Sequence, residues 1–169
     1  LTTLSAKVTD SSGDSVAGSV VNFGASAGTL LAATATTNAS GIAQVSLRSP
    51  TQVGIANVTA ATAGLTATGQ ITFVAGAAKS IVLSASPSTV QTGGQSSIRA
   101  TVFDASGNRV PNVTVAFSLP SNSVANGGRF SIATDATDGN GEVTTTYTAP
   151  STGTSDTITA KTTGGLSTS

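Results

Sequence analysis

Apolar and polar residues alternate along most of this chain. A period of two is the signature of strands with one buried face. Leu4, Ala6 and Val8 alternate with Ser5, Lys7 and Thr9, and Ile98, Ala100 and Val102 with Arg99, Thr101 and Phe103. Val113, Val115, Phe117 and Leu119 fall on one face, with Thr114, Ala116 and Ser118 on the other. Ala43, Val45 and Leu47 match Val143, Thr145 and Tyr147 at a spacing of 100 residues, as Val58 and Ala60 match Ile158 and Ala160. These runs predict half-buried strands of an all-β antiparallel sandwich, with no helices of note. Turn residues separate them. SSGD, ASGN and DGNG supply glycine where a positive φ is needed. Pro50 and Pro150 stop the strands before them, because proline cannot donate to a ladder.

The pattern occurs twice. Val8, Asp10, Gly13, Val16, Val21 and Phe23 return 94 residues later as Val102, Asp104, Gly107, Val110, Val115 and Phe117. Such a period is too long for a solenoid unit of about 20–50 residues and suits a small domain used in series. Residues 1–76 and 77–169 therefore read as two tandem domains. The spacing grows to 100 in the second half of the repeat, which puts about six extra residues near Ser121–Gly128 (SNSVANGG), a polar loop where binding residues tend to sit. The joint, Phe73 to Ile81, has no Gly/Ser tract and predicts a stiff connection. Ser80–Gly94 has no equivalent before Leu1, and TATGQITFV at the end of the first copy has none after Ser169. The first domain reads as lacking its first strand and the second as lacking its last.

Composition narrows the function. The chain has 169 residues, 8% of them charged, and a formal net charge of zero. No basic patch marks a nucleic-acid partner, and no apolar run reaches the roughly 20 residues of a membrane helix. There is no Cys and no His, so disulfides, thiolate metal sites and the commonest general base are absent. Ser and Thr make up about a third of the chain, a bias toward strands and turns. With no disulfide available, the core must rest on apolar packing. Phe23, Phe73, Phe117 and Phe130 are the expected large anchors, each contributing roughly 1.5–3 kcal/mol on burial.

The runs IVLSASPSTVQTGG, ATVFDASGNRVPNVTVAF and ATDGNGEVTTTYTAPSTGTSDTITA, with AKVTDSSGDSVAGSVVNF, TTNASGIAQVSLRSPTQVG and ANVTAATAGLT in the first copy, resemble the bacterial Ig-like domains of group 1. These occur in tandem in the intimin and invasin family of surface adhesins. The D-x-x-G-x-x-V-x-x-x-x-V-x-F run is the most specific part. The resemblance implies an immunoglobulin-like β-sandwich of seven or so strands per domain, and an extracellular stalk anchored to the outer membrane through a part not in this chain. Many family members end in a C-type-lectin-like module rich in Cys and Trp. Nothing here resembles that module, so receptor binding is not carried over.

Candidate chemistry is sparse, and no catalytic, cofactor or metal residue is assigned. Asp138-Gly139-Asn140-Gly141-Glu142 spaces three oxygen donors as a calcium loop can, but departs from the EF-hand pattern and reads first as a turn. Asp10/Asp14 and Asp104/Asn108 are also turn residues first. Asp135, Asp138 and Glu142 lie on one polar turn and make no positioned glycosidase pair. Lys7 and Lys161 fall on the solvent side, against an internal isopeptide bond. Asn38, Asn57 and Asn112 head glycosylation sequons that chance explains in so Ser/Thr-rich a chain. Thr144-Thr145-Thr146 offers hydroxyls to a sugar or to ice, with ordinary strand propensity the simpler account.

Three roles follow for a chain with no predicted enzyme activity or cofactor. The leading one is a stalk of a bacterial surface adhesin, partnered by neighbouring Ig-like domains in tandem. The second is a filament subunit whose copies pair by sheet edges or lend the strand Ser80–Ser86. The third is a module that binds host protein or glycan through Ser121–Gly128. None involves nucleic acid or direct membrane insertion.

Overall fold

A computed structural model describes residues 1–153 and 155–169. It divides into two units, Leu1–Val74 and Ala75–Ser169, each with its own core. The division falls just before the 76/77 boundary read from the repeat. The strand before the joint ends at Phe73, and the Gly76 amide bonds within the second unit.

Unit 1 contains β1 (Thr2–Lys7), β2 (Val20–Ala25), β3 (Thr29–Leu30), β4 (Thr34–Thr36), β5 (Ile42–Arg48), β6 (Gly54–Thr62) and β7 (Leu65–Phe73). They form two antiparallel sheets, β1-β5-β3 and β4-β2-β6-β7. Between the sheets lie the inward residues of the alternating runs: Leu4, Val21, Phe23, Val45, Leu47 and Phe73 are all buried.

Unit 2 contains β8 (Ala78–Ser86), β9 (Gln95–Asp104), β10 (Thr114–Ser118), a one-turn helix α1 (Ser121–Ala125), β11 (Arg129–Phe130), β12 (Thr134–Ala136), β13 (Glu142–Thr148), β14 (Thr159–Thr162) and β15 (Ser167–Thr168). The sheets are β11-β13-β9-β8 and β12-β10-β14-β15. Ile98, Val102, Val115, Phe117 and Tyr147 are buried between them. Phe130 is only partly buried, and bridges Phe117 and Tyr147 with ring centroids 5.7 and 6.0 Å away. These are favourable tilted aromatic contacts.

The repeat is visible strand by strand. Leu4 pairs with Val45 as Ile98 pairs with Thr145, and Phe23 pairs with Ala60 as Phe117 pairs with Ala160. β8 has no counterpart in unit 1 among the described residues, and the counterpart of the nine-residue β7 is the two-residue β15. Two local expectations change. Ser121–Ala125 is helical where the sequence predicts a loop: backbone bonds from Ser123 and Val124 to the Pro120 carbonyl start the turn. The Ser80–Ser86 strand is not free to be lent, because β8 pairs with β9 along its length, from Ala78↔Asp104 to Ser86↔Ser97.

The turns fold as their glycines require. Gly13, Gly107 and Gly141 have φ of 89°, 82° and 67°. In DGNG the demanding position is Gly141 alone: a Cβ there would lie 2.8 Å from the Val110 amide nitrogen.

Candidate functional site

The sequence candidates sit mostly in turns that consume their own polar groups. Asp138 Oδ1 accepts the amides of Asn140 and Glu142, at 2.8 and 3.0 Å. These backbone bonds, the one from Glu142 foremost, hold its carboxyl below the usual range. Glu142 turns to cations, pairing with Arg109 and lying 3.7 Å from Arg99. Asp135 Oδ1 accepts the adjacent Ala136 amide. The three carboxylates thus have separate local partners. No group of three or more His, Cys, Asp or Glu suited to a metal exists among the described residues. Lys7 and Lys161 are exposed. Asn38 and Asn57 take part in local hydrogen bonds, and Asn112 sits in a turn with φ of 60°. Thr145 is buried and donates to the Ile132 carbonyl, so the threonine run does not present a continuous face.

Asp104 has a different environment from its repeat partner. Asp10 is exposed, and its Oδ1 accepts the amides of Ser12 and Asp14. Asp104 makes the same turn bonds to Ser106 and Asn108. Its second oxygen also accepts from Asn108 Nδ2 at 3.0 Å and the Gly76 amide at 2.9 Å. The Asn108 side chain and the Gly76 amide lower its pKa to about 2. A carboxylate charged at every ordinary pH therefore pins the segment that leads into β8.

A cavity lies at the far pole of unit 2, where β13 ends and β9 begins (Thr148↔Gln95). It measures about 610 Å³, and its walls include Leu83, Ile98, Ser123, Tyr147, Asp156 and Ile158. Asp156 Oδ2 receives two hydroxyls, Ser123 Oγ at 2.5 Å and the Tyr147 phenol. Burial, then the hydrogen bond and the charge of Asp156, push Tyr147 up to about 12. Tyr147 is thus a fixed proton donor at neutral pH. One Asp156 oxygen holds both the Ser123 hydroxyl and the Tyr147 phenol, and the chain has no His to activate Ser123 as a nucleophile. The trio acts as a tether, tying Asp156 to β13 and α1.

The extra residues at Ser121–Gly128 do reach this cleft, through Asn122, Ser123 and Asn126 of α1 and the residue after it. Sequence reasoning located that insertion but missed Tyr147 and Asp156. The available signal was that Tyr147 is the single tyrosine of the chain, standing where the first copy has Leu47.

The family model described as Bacterial Ig-like domain (group 1) matches residues 1–74. The chain is 36% identical, over 96% of its length, to the inverse autotransporter adhesin YeeJ of Escherichia coli strain K12, of which it spans 7%. Its fold is similar to InvD of Yersinia pseudotuberculosis (TM-score 0.68, 23% identity, 96% of this chain and 48% of that one). It is also similar to the Escherichia coli adhesin FdeC (TM-score 0.62, 20% identity, 98% and 57%). The chain therefore covers a small part of the first relative and about half of each of these two structures.

Proposed function

Residues 1–74 belong to the bacterial Ig-like domain (group 1) family, and from that premise we propose that the chain is a two-domain spacer of a bacterial cell-surface adhesin. It works outside the cell and carries no chemistry of its own. The similarity to adhesins supports the setting. The path of the chain through unit 2 supports the spacer role and carries the proposal.

Chain direction follows from strand pairing. Polypeptide enters unit 2 beside Asp104, where Ala78 pairs. β8 then runs the length of β9 to the opposite pole. β14 and β15 turn the chain so that it leaves toward that same far pole, since Ala160 pairs with Thr168 and Lys161 with Ser167. The unit thus conducts the chain from pole to pole. β9 has ten residues, so the step gained is roughly 33 Å at about 3.3 Å per residue.

The same path suits tension. A pull between the two poles draws β8 lengthwise along β9. Ladder hydrogen bonds lie across the strands, so they share such a pull instead of yielding one after another. At the incoming pole the Gly76 amide is held by Asp104, which fixes the entering segment to unit 2.

Domain substitution in a surface adhesin carrying this segment tests the reading. An unrelated two-domain sandwich of equal reach should preserve adhesion, while deletion of the segment should weaken it. Loss of adhesion in both variants alike would assign a specific binding role instead.

A further inference from the structure

Short length, charge, proline and bulges keep a sheet edge from pairing with another chain. The outer strand β8 carries Lys79 at a register shift between Ala78 and Ser80. β11 carries Arg129, β12 carries Asp135, β1 ends at Lys7, and β3, β4 and β15 have two or three residues each. β7 has none of these devices. It is nine residues long, LTATGQITF, without charge or proline, and it pairs with β6 from Thr62↔Leu65 to Gly54↔Phe73 with no shift of register. It is the outermost strand of β4-β2-β6-β7, a sheet without one charged residue. β8 shows where a strand preceding β1 belongs. It pairs with β9 and not with β15, so its equivalent in unit 1 would lie beside β1, in the other sheet. The open edge of β7 thus belongs to the fold and not to a chain end.

The turn between β6 and β7 sets which groups face that edge. Ala63 and Gly64 have φ of 47° and 80°, the two-residue turn that makes Thr62 and Leu65 a hydrogen-bonded pair. Main-chain bonds alternate along an antiparallel ladder, so the amides and carbonyls of Thr66, Thr68, Gln70 and Thr72 point away from β6. All four residues are exposed. We propose that this edge pairs antiparallel with β7 of a second copy of the chain, about a two-fold axis at Gly69. Thr66 then meets Thr72 and Thr68 meets Gln70, each pair twice, for about eight main-chain hydrogen bonds. No like charges meet, and hydroxyl and amide side chains stand opposite one another. Gln70 Nε2 already donates to Asn57 Oδ1 at 3.0 Å, which leaves its own oxygen for Thr68 of the second copy. A second copy is the fitting partner because such an edge needs another as long and as unblocked, and β7 is the one such edge among the described residues. The two paired chains run in opposite directions. On the spacer reading, the contact therefore joins stalks that face each other; the pairing itself does not depend on that reading.

The chain has no cysteine, so one introduced on the axis reports the contact. At Gly69 a Cβ would meet only Val58 Cγ2, at 3.5 Å. In a non-hydrogen-bonded pair the two Cα atoms stand about 4.5 Å apart, within disulfide reach. The full chain carrying Gly69→Cys is oxidised in solution beside the chain carrying Thr36→Cys, an exposed position on the opposite edge strand β4. The Gly69→Cys chain should form its disulfide dimer at least about tenfold faster. Adding Thr68→Pro should abolish the difference, because it removes an amide that faces the open edge and leaves the β6 ladder intact. Adding Thr68→Lys should do the same by placing charge on the edge, and covers the case in which proline unfolds unit 1. Equal rates for Gly69→Cys and Thr36→Cys, or a fast rate that survives Thr68→Lys, would overturn the proposal.

Discussion

The two units share one strand plan and differ in how they use the same positions. At the turn after the first shared strand, Asp10 caps its own loop, whereas Asp104 also captures Asn108 Nδ2 and the Gly76 amide. Under the last strand, unit 1 has Leu47 and Ala56, both fully buried, and unit 2 has Tyr147 hydrogen-bonded to Asp156. On the outer sheet face, Arg99, Arg109 and Glu142 stand where unit 1 has Ser5, Ser15 and Ile42. What persists is the apolar alternation and the glycine turns, the physics of a sandwich. What varies is polar and sits at the poles and on the face, where a repeat can acquire local work without losing its core.

The shared part should break symmetrically and hardest. Gly41 and Gly141 have φ of 72° and 67°, with backbone atoms 2.5 and 2.8 Å from where a Cβ would be. Gly141→Ala should cost unit 2 on the order of 2–4 kcal/mol through strain and clash. Gly41→Ala should do the same to unit 1, each leaving the other unit's urea transition in place. A common transition for both units would break the comparison.

A second shared device is a buried threonine latch. Thr37 Oγ1 donates to the Val16 carbonyl at 2.7 Å and accepts the Ser19 amide at 2.9 Å. Thr137 does the same with Val110 at 2.8 Å and Val113 at 2.9 Å. Thr37→Val and Thr137→Val keep the shape but orphan two backbone groups. Each should cost its own unit about 1–3 kcal/mol in chemical denaturation.

Acid should separate the units. The folded pKa of Asp104, about 2, lies below its ordinary value of 3.8. The unfolded chain therefore takes up the proton first, and stability rises with pH. The contribution is complete above about pH 4 and is lost as pH falls toward about 2. Wild-type unit 2 should lose midpoint over that window, and Asp104→Asn should lack this component. An unaltered acid profile in the variant would remove Asp104 as the source.

The smallest effect belongs to the surface. Arg109→Ala removes the Glu142 pair and a contact 5.9 Å from the Phe103 ring. Both partners are solvent-accessible, so the cost to unit 2 should stay under about 1 kcal/mol and shrink further in salt.

Much of the fold was legible because it is periodic. Period-two runs placed Leu4, Val45, Val115 and Phe117 in the cores, and positive-φ turns announced themselves through glycine. The cleft was not legible, because it depends on contacts between elements. Asp156 reads as one more polar residue in a Ser/Thr-rich segment until the fold brings it to Tyr147 and Ser123. α1 carries no acidic first turn or basic last turn to signal it, and no side chain caps it. Asp104 reads as a turn residue because its partner Gly76 lies 28 residues earlier. The threonine latch left a trace, since Thr37 and Thr137 recur in register, but a lone threonine gives no hint that its hydroxyl is buried.

Stretching single molecules of this chain by its two ends tests the account most directly. In unit 1, Thr2 pairs with Leu47 and Phe73 with Gly54, so both pulled strands end at the same pole, and β1 peels off bond by bond. In unit 2 the pull runs from pole to pole and shears β8 along β9. The account predicts two separate extensions, of about 250 Å for the 74 residues of unit 1 and, after the folded pole-to-pole span is subtracted, about 290 Å for the 95 of unit 2. The shorter should come first, at clearly lower force. One combined step, or the longer extension released at the lower force, would contradict it.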